Sequence, residues 1–115
     1  MTVTLFGLKT CDTCRKARKE LESAGIEYEY VDVRADGVPP QQLSTWADAA
    51  GWQALLNTRS TTWRGLSDGE RRDVGETEAL ALMSAHPTLI KRPVIEADGV
   101  VLVGWSTAAK TALGL

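Results

Sequence analysis

The chain has 115 residues and a net charge of −2, with 43% of residues hydrophobic and 24% charged. That length fits one domain, residues 1–115, with its own apolar core, and the charge supplies no global positive field to draw in nucleic acid or an anionic membrane. No apolar run approaches the ~20 residues of a membrane-spanning helix, and MTVTLFGLKTC lacks the apolar centre of a secretion signal, so a cytoplasmic monomer is expected.

Residues 2–8, TVTLFGL, alternate and are rich in β-formers, which predicts a first strand. Cys14, Ala17, Leu21 and Ala24 then recur at spacings of three and four, one face of a helix that Gly25 stops. Residues 26–33, IEYEYVDV, alternate again and predict a second strand, parallel to the first across a right-handed crossover. After RADGVPP, Pro40 fits a first helical turn, and Leu43, Trp46, Ala47, Ala50 and Ala54 follow at helical spacing. NTRSTTWRGLSDG is polar and aperiodic, a long loop or a broken helix. Ala79, Leu80, Leu82 and Met83 predict a further helix with Thr77 as N-cap, and His86 before Pro87 reads as a solvent-facing capping residue. In RPVIEADGVVLVG two β-branched runs flank Asp98-Gly99, the signal of a type I′ hairpin. STAAKTALGL closes the chain as a short helix capped by Ser106 or Thr107.

The resulting order is β-α-β, a helical block at about 39–88, then β-β-α. This is an α/β, thioredoxin-like arrangement with a helical insertion between its halves. A doubly wound sheet would need further parallel strands in place of the closing hairpin.

The two cysteines, Cys11 and Cys14, stand where the first strand passes into the first helix. A thiolate at Cys11 would meet the free N–H groups and positive dipole end of that helix, so its pKa should fall below the ~8.5 of free cysteine. Lys9 and Arg15 add positive charge, and Asp12 offsets part of it. Cys14 lies one turn further on, on the apolar face, and should be more buried. An exposed activated thiolate beside a sheltered partner suits an attacking and a resolving cysteine. Two ordinary core thiols are the competing reading of an isolated C-x-x-C. A structural zinc site needs four ligands, and only His86 remains to join the pair, so no metal is expected.

CDTCRKARKEL, LLNTRSTTWRGL, PTLIKRPVIE and DGVVLVGW together resemble, in order and spacing, the arsenate reductase family, the thioredoxin-fold group that includes ArsC, Spx and YffB. The resemblance spans essentially the whole chain and is nearest to the YffB branch. It implies Cys11 as the catalytic cysteine and Arg92 as the arginine that sits over it and binds an oxyanion. Pro93 matches the proline, usually cis, that faces the active site. Lys9, Thr10, Arg15, Asn57, Arg59 and Pro93 are expected at the substrate, with NTRSTTWR as an outer wall of its site.

Arsenate reductases of this group carry His-Asn-Pro where this chain has Gly7-Leu8-Lys9, and their third arginine is replaced near Trp105. Efficient arsenate reduction is therefore not expected. The implied activity is a cytoplasmic thiol–disulfide reductase acting on a small oxyanion or disulfide. It binds no resident cofactor, uses glutathione as co-substrate, and has glutathione, glutaredoxin or thioredoxin as partner. The alternative is an Spx-like transcriptional regulator that binds RNA polymerase through a Cys11–Cys14 switch.

Overall fold

In strand β1 (Val3–Gly7) alternate positions face the same way, so Val3, Leu5 and Gly7 form one row. The computed structural model describes residues 2–115, and Met1, the first residue of the expected domain span, lies outside them. The described chain sorts into two compact units: the chain up to Asp36 together with Arg92–Leu115, and Gly37–Lys91.

The first unit holds a four-stranded sheet in the order β2-β1-β3-β4, with β2 at Glu29–Asp32, β3 at Val94–Ala97 and β4 at Val100–Val103. β1 runs parallel to β2 and antiparallel to β3, and β3 is antiparallel to β4. Helix α1 (Asp12–Ser23) buries Cys14, Ala17 and Leu21, the stripe its spacing predicts. Ala17 and Leu21 pack with Val3, Leu5, Ile95, Ala97 and Leu113, flanked by Ile26, Tyr28, Tyr30, Leu102 and Trp105. The hairpin turns through Asp98 (φ 48°) and Gly99 (φ 81°), both left-handed as a type I′ turn requires.

β2 is shorter than the alternation of 26–33 suggests. The Asp32 carboxylate accepts the N–H groups of Arg34 and Ala35, each at 2.9 Å. That local capping turns the chain into the one-turn helix α2 (Val33–Asp36) and ends the strand.

The second unit is the helical segment between β2 and β3: α3 (Pro40–Ala50), α4 (Trp52–Leu55), α5 (Thr61–Arg64), α6 (Asp68–Arg71), α7 (Glu76–Ala85) and a 3₁₀ turn at Pro87–Leu89. Pro40 occupies the first turn of α3, as expected. The periodic run does not continue unbroken to Ala54: Gly51, at φ 89°, separates α3 from α4. The polar stretch after Asn57 is a broken helix, two single turns capped by the side chains of Ser60 and Ser67. Glu70 returns a bond to the Ser67 N–H at 2.9 Å, completing a capping box.

Thr77 is not the N-cap of α7. That position belongs to Gly75, whose N–H is accepted by the Glu78 carboxylate at 3.3 Å, so reach from inside the helix supplies the cap. His86 is the C-cap of α7, as expected, and is partly exposed. Leu43, Trp46, Leu55, Ala79, Met83, Leu89 and Ile90 are buried, and α3 and α4 each pack on α7. In the first unit, helix α8 (Thr107–Ala112) closes the chain, capped by Ser106, which accepts the Ala109 N–H at 3.1 Å.

Candidate active site

Gly7 ends the β1 row on which α1 packs, and its missing side chain admits Cys14. A Cβ at Gly7 would lie 2.7 Å from the Cys14 sulfur. Asp32 pairs with Gly7 across β1 and β2. The β1–β3 register, carried one residue past Phe6↔Val94, sets Pro93 beside the same end. Three strands thus bring their ends to the start of α1.

Cys11 is the N-cap of that helix, extended at φ −85° and ψ 119°. Its N–H donates to the Leu8 carbonyl at 3.2 Å and its carbonyl accepts the Arg15 N–H at 3.0 Å. As N-cap residue it carries its sulfur at the helix start, where the Cys14 N–H favours a thiolate. Cys11 is half-buried and Cys14 fully buried, and both are free thiols.

Their acidities move apart. Burial pushes the Cys11 thiol up, but the Cys14 N–H and thiol, then the Arg92 guanidinium as donor and as charge, outweigh it and hold Cys11 below its ordinary value. At Cys14 burial dominates and pushes the thiol up to about 12; the Leu8 N–H opposes the rise, and the neighbouring Cys11 adds to it. One sulfur is favoured as thiolate and the other as thiol.

Cys11, Cys14, Arg92 and Pro93 are therefore together. Arg92 is half-buried and precedes a cis peptide bond to the buried Pro93, whose carbonyl accepts the Gly104 N–H at 2.8 Å. The other expected residues have different local partners. Lys9 is exposed, and its N–H and charge act on Asp32, whose carboxyl is held low first by the Ala35 N–H and then by those of Arg34 and Lys9. Arg15 is turned onto Asp12 at 2.9 Å and the Thr10 carbonyl at 3.3 Å. Asn57 and Arg59 belong to the second unit. There the Asn57 side chain accepts the Arg59 N–H at 3.1 Å, and both line a concavity of about 470 Å³ with Trp52 and Lys91.

Sequence reasoning missed Gly7, Leu8 and Asp32. A glycine inside a strand pattern marks close approach of another group and was the available signal for Gly7. Nothing local marked Leu8, which acts through its backbone. Among the described residues no group of three or more His, Cys, Asp or Glu could hold a metal ion, and no helix is long and apolar enough to cross a membrane.

The model of the ArsC family matches residues 6–112. The solved structure of the YffB protein superposes with a TM-score of 0.91 at 40% identity, covering 96% of each chain. An arsenate reductase (ArsC) related protein from Brucella melitensis superposes with a TM-score of 0.78 at 39% identity, covering 100% of this chain and 97% of its own. An uncharacterized protein of Haemophilus influenzae is 41% identical over 104 residues, 90% of this chain and 91% of that one.

Proposed function

Since the chain belongs to the ArsC family, we propose that it is a cytoplasmic thiol–disulfide reductase that uses Cys11 as nucleophile and glutathione as co-substrate. The observation that carries this is the pairing of a half-buried Cys11, with Arg92 at its sulfur, and a Cys14 fully buried one turn inside the same helix.

The Cys11 thiolate attacks one sulfur of a glutathione mixed disulfide. The substrate S–S bond breaks, the departing thiolate takes a proton from water, and glutathione stays bonded to Cys11. Cys14 then loses its proton and attacks the Cys11 sulfur, releasing glutathione as thiolate. The products are the substrate thiol, glutathione and a Cys11–Cys14 disulfide, so two electrons pass to the substrate; two further thiols, as glutathione, reset the pair. The neighbouring Cys11 contributes to the raised acidity constant of Cys14. Once Cys11 is in a mixed disulfide it carries no negative charge, so that contribution lapses and Cys14 ionises more readily at the step where it is needed. The planar fork of Arg92 suits a carboxylate or oxyanion on the incoming substrate.

The test is mass spectrometry after oxidation with glutathione disulfide, alongside turnover assays on arsenate, a small glutathione mixed disulfide and a protein disulfide. The wild type is expected to lose two hydrogens and Cys14→Ser to accumulate one glutathionyl group on Cys11. Faster alkylation of Cys14 than of Cys11 at neutral pH rejects the reading. Absence of turnover together with capture of the RNA polymerase α subunit's C-terminal domain supports the regulator instead.

A further inference from the structure

In a chain of net charge −2, α1 carries four cations within five residues: Arg15, Lys16, Arg18 and Lys19. With Asp12 and Glu22 they line a concavity of about 540 Å³, and Asp12 directly follows Cys11 in the chain. The four are held differently. Arg15 is tied to Asp12 and the Thr10 carbonyl. Arg18 is half-buried and fixed: it donates to the Tyr28 hydroxyl at 3.0 Å, and its guanidinium lies 4.1 Å from the centre of the Tyr30 ring. The Tyr28 hydroxyl in turn donates to Glu22 at 2.9 Å, which occupies that carboxylate. Lys16 and Lys19 are exposed, and the charge of Lys16 also reaches Glu20. The groove thus has one cation immobilised by aromatic rings and two exposed ones, so part of the entropy cost of binding an anion is already met.

Reach decides the kind of anion. Lys16 and Lys19 follow Cys11 by five and eight residues, about 7.5 and 12 Å along the helix axis. The cations therefore form a row running away from Cys11 along the helix, which a segment carrying several carboxylates in sequence matches charge for charge, as a single carboxylate does not. We infer that this groove docks an acidic segment of a disulfide-bearing protein partner and holds it beside Cys11. This rests on the reading of Cys11 as nucleophile. In the exchange the Cys11 thiolate forms a bond to one partner sulfur while the partner's own S–S bond breaks and its second sulfur leaves as thiolate, with no net change of oxidation state.

Two probes separate docking from chemistry. The first is a fluorescent, cysteine-free peptide of alternating Glu and Ser, compared with its Gln/Ser counterpart by anisotropy. The second is hydroxyethyl disulfide, small and uncharged, which reports Cys11 reactivity alone. The acidic peptide is expected to bind about tenfold or more tightly than the neutral one at low salt. The difference should vanish at about 1 M salt, where screening acts within ~3 Å. Lys16→Glu/Lys19→Glu should abolish the preference and leave thiolation by hydroxyethyl disulfide unchanged. Equal affinity for the two peptides, or indifference to the charge swap, overturns the docking surface even if Cys11 reacts. Preferential binding with a Cys11 that no disulfide modifies overturns instead the exchange partner and, with it, the nucleophile reading.

Discussion

At Cys11 the chain is open: a half-buried sulfur, an extended backbone, the free start of a helix and an arginine alongside. At Cys14, one turn away, it is closed, with the sulfur fully buried against a strand position that has no side chain. The two residues are chemically identical and share one helix. The comparison teaches that solvent access and the nearest positive group, rather than the C-x-x-C spacing, set what each thiol does.

The largest break in that comparison is Cys11→Ser. Alkylation by iodoacetamide at pH 6 should disappear, because the buried Cys14 thiol does not ionise there; label retained at the wild-type rate would place the reactive thiol at Cys14. Gly7→Ala attacks the closed side. Its Cβ would meet the Cys14 sulfur at 2.7 Å, and such overpacking costs about 1–3 kcal/mol. A lowered urea midpoint with an unchanged m-value is expected, and a midpoint equal to wild type would show that Cys14 shifts freely.

Arg92→Ala acts on the open side. It removes a donor and a charge that favour the Cys11 thiolate, so the pH–alkylation profile should move upward. The rate should fall several-fold below pH 7 and be unchanged above pH 10, while the fold, for a half-buried arginine on the site's rim, persists. A stability collapse with an unmoved profile would make Arg92 a structural residue.

The smallest effect is on the pH dependence of folding. Cys14 titrates near 12 in the native chain against an ordinary 9.0. The native state therefore holds this proton longer than the unfolded state, and stability from this group, complete below pH 9, is lost as pH rises from 9 towards about 12. Cys11, lowered from 9.0, works in the opposite sense: its contribution is present above pH 9 and is lost as pH falls through its native value. Thermal melts of wild type and Cys14→Ala between pH 8 and 11 should show a shallower alkaline decline in the variant; parallel declines would mean that Cys14 is not insulated.

The open side was the more legible in sequence. Cys14, Ala17 and Leu21 at helical spacing, with Gly25 as stop, place Cys11 at a helix start by pattern alone. Asp98-Gly99 likewise fixes the hairpin that aligns β3 with β1. The closed side was not legible as a contact, because it depends on Gly7 meeting a residue seven positions later across a strand–helix packing that only the fold creates. In the helical segment, Gly51 was hidden inside a run of alanines that reads as one helix. The cap from Glu78 to Gly75 escaped because glycine offers no side chain to look for. Ser67 and Glu70 form the S-x-x-E pattern of a capping box, but inside a polar, aperiodic stretch it did not single out α6. Arg92 and Pro93 gained their role from family resemblance, since a lone Arg-Pro before a strand says nothing about which helix start it faces.

The bare α-carbon of Gly7 also bears on damage by peroxide. A thiol that climbs from sulfenic to sulfinic acid must accommodate one and then two oxygen atoms. The Cys14 sulfur already fills the space that even a methyl group would need, so no oxygen can be added on that side without pushing the strand away. If Cys11 is the nucleophile, as proposed, it is the less buried of the two thiols and would meet the oxidant first, and its sulfenic acid would condense with the Cys14 thiol to a disulfide with loss of water. On that reading a packing concession in one strand would double as chemical armour, keeping the Cys14 sulfur unoxidised until its partner has been hit.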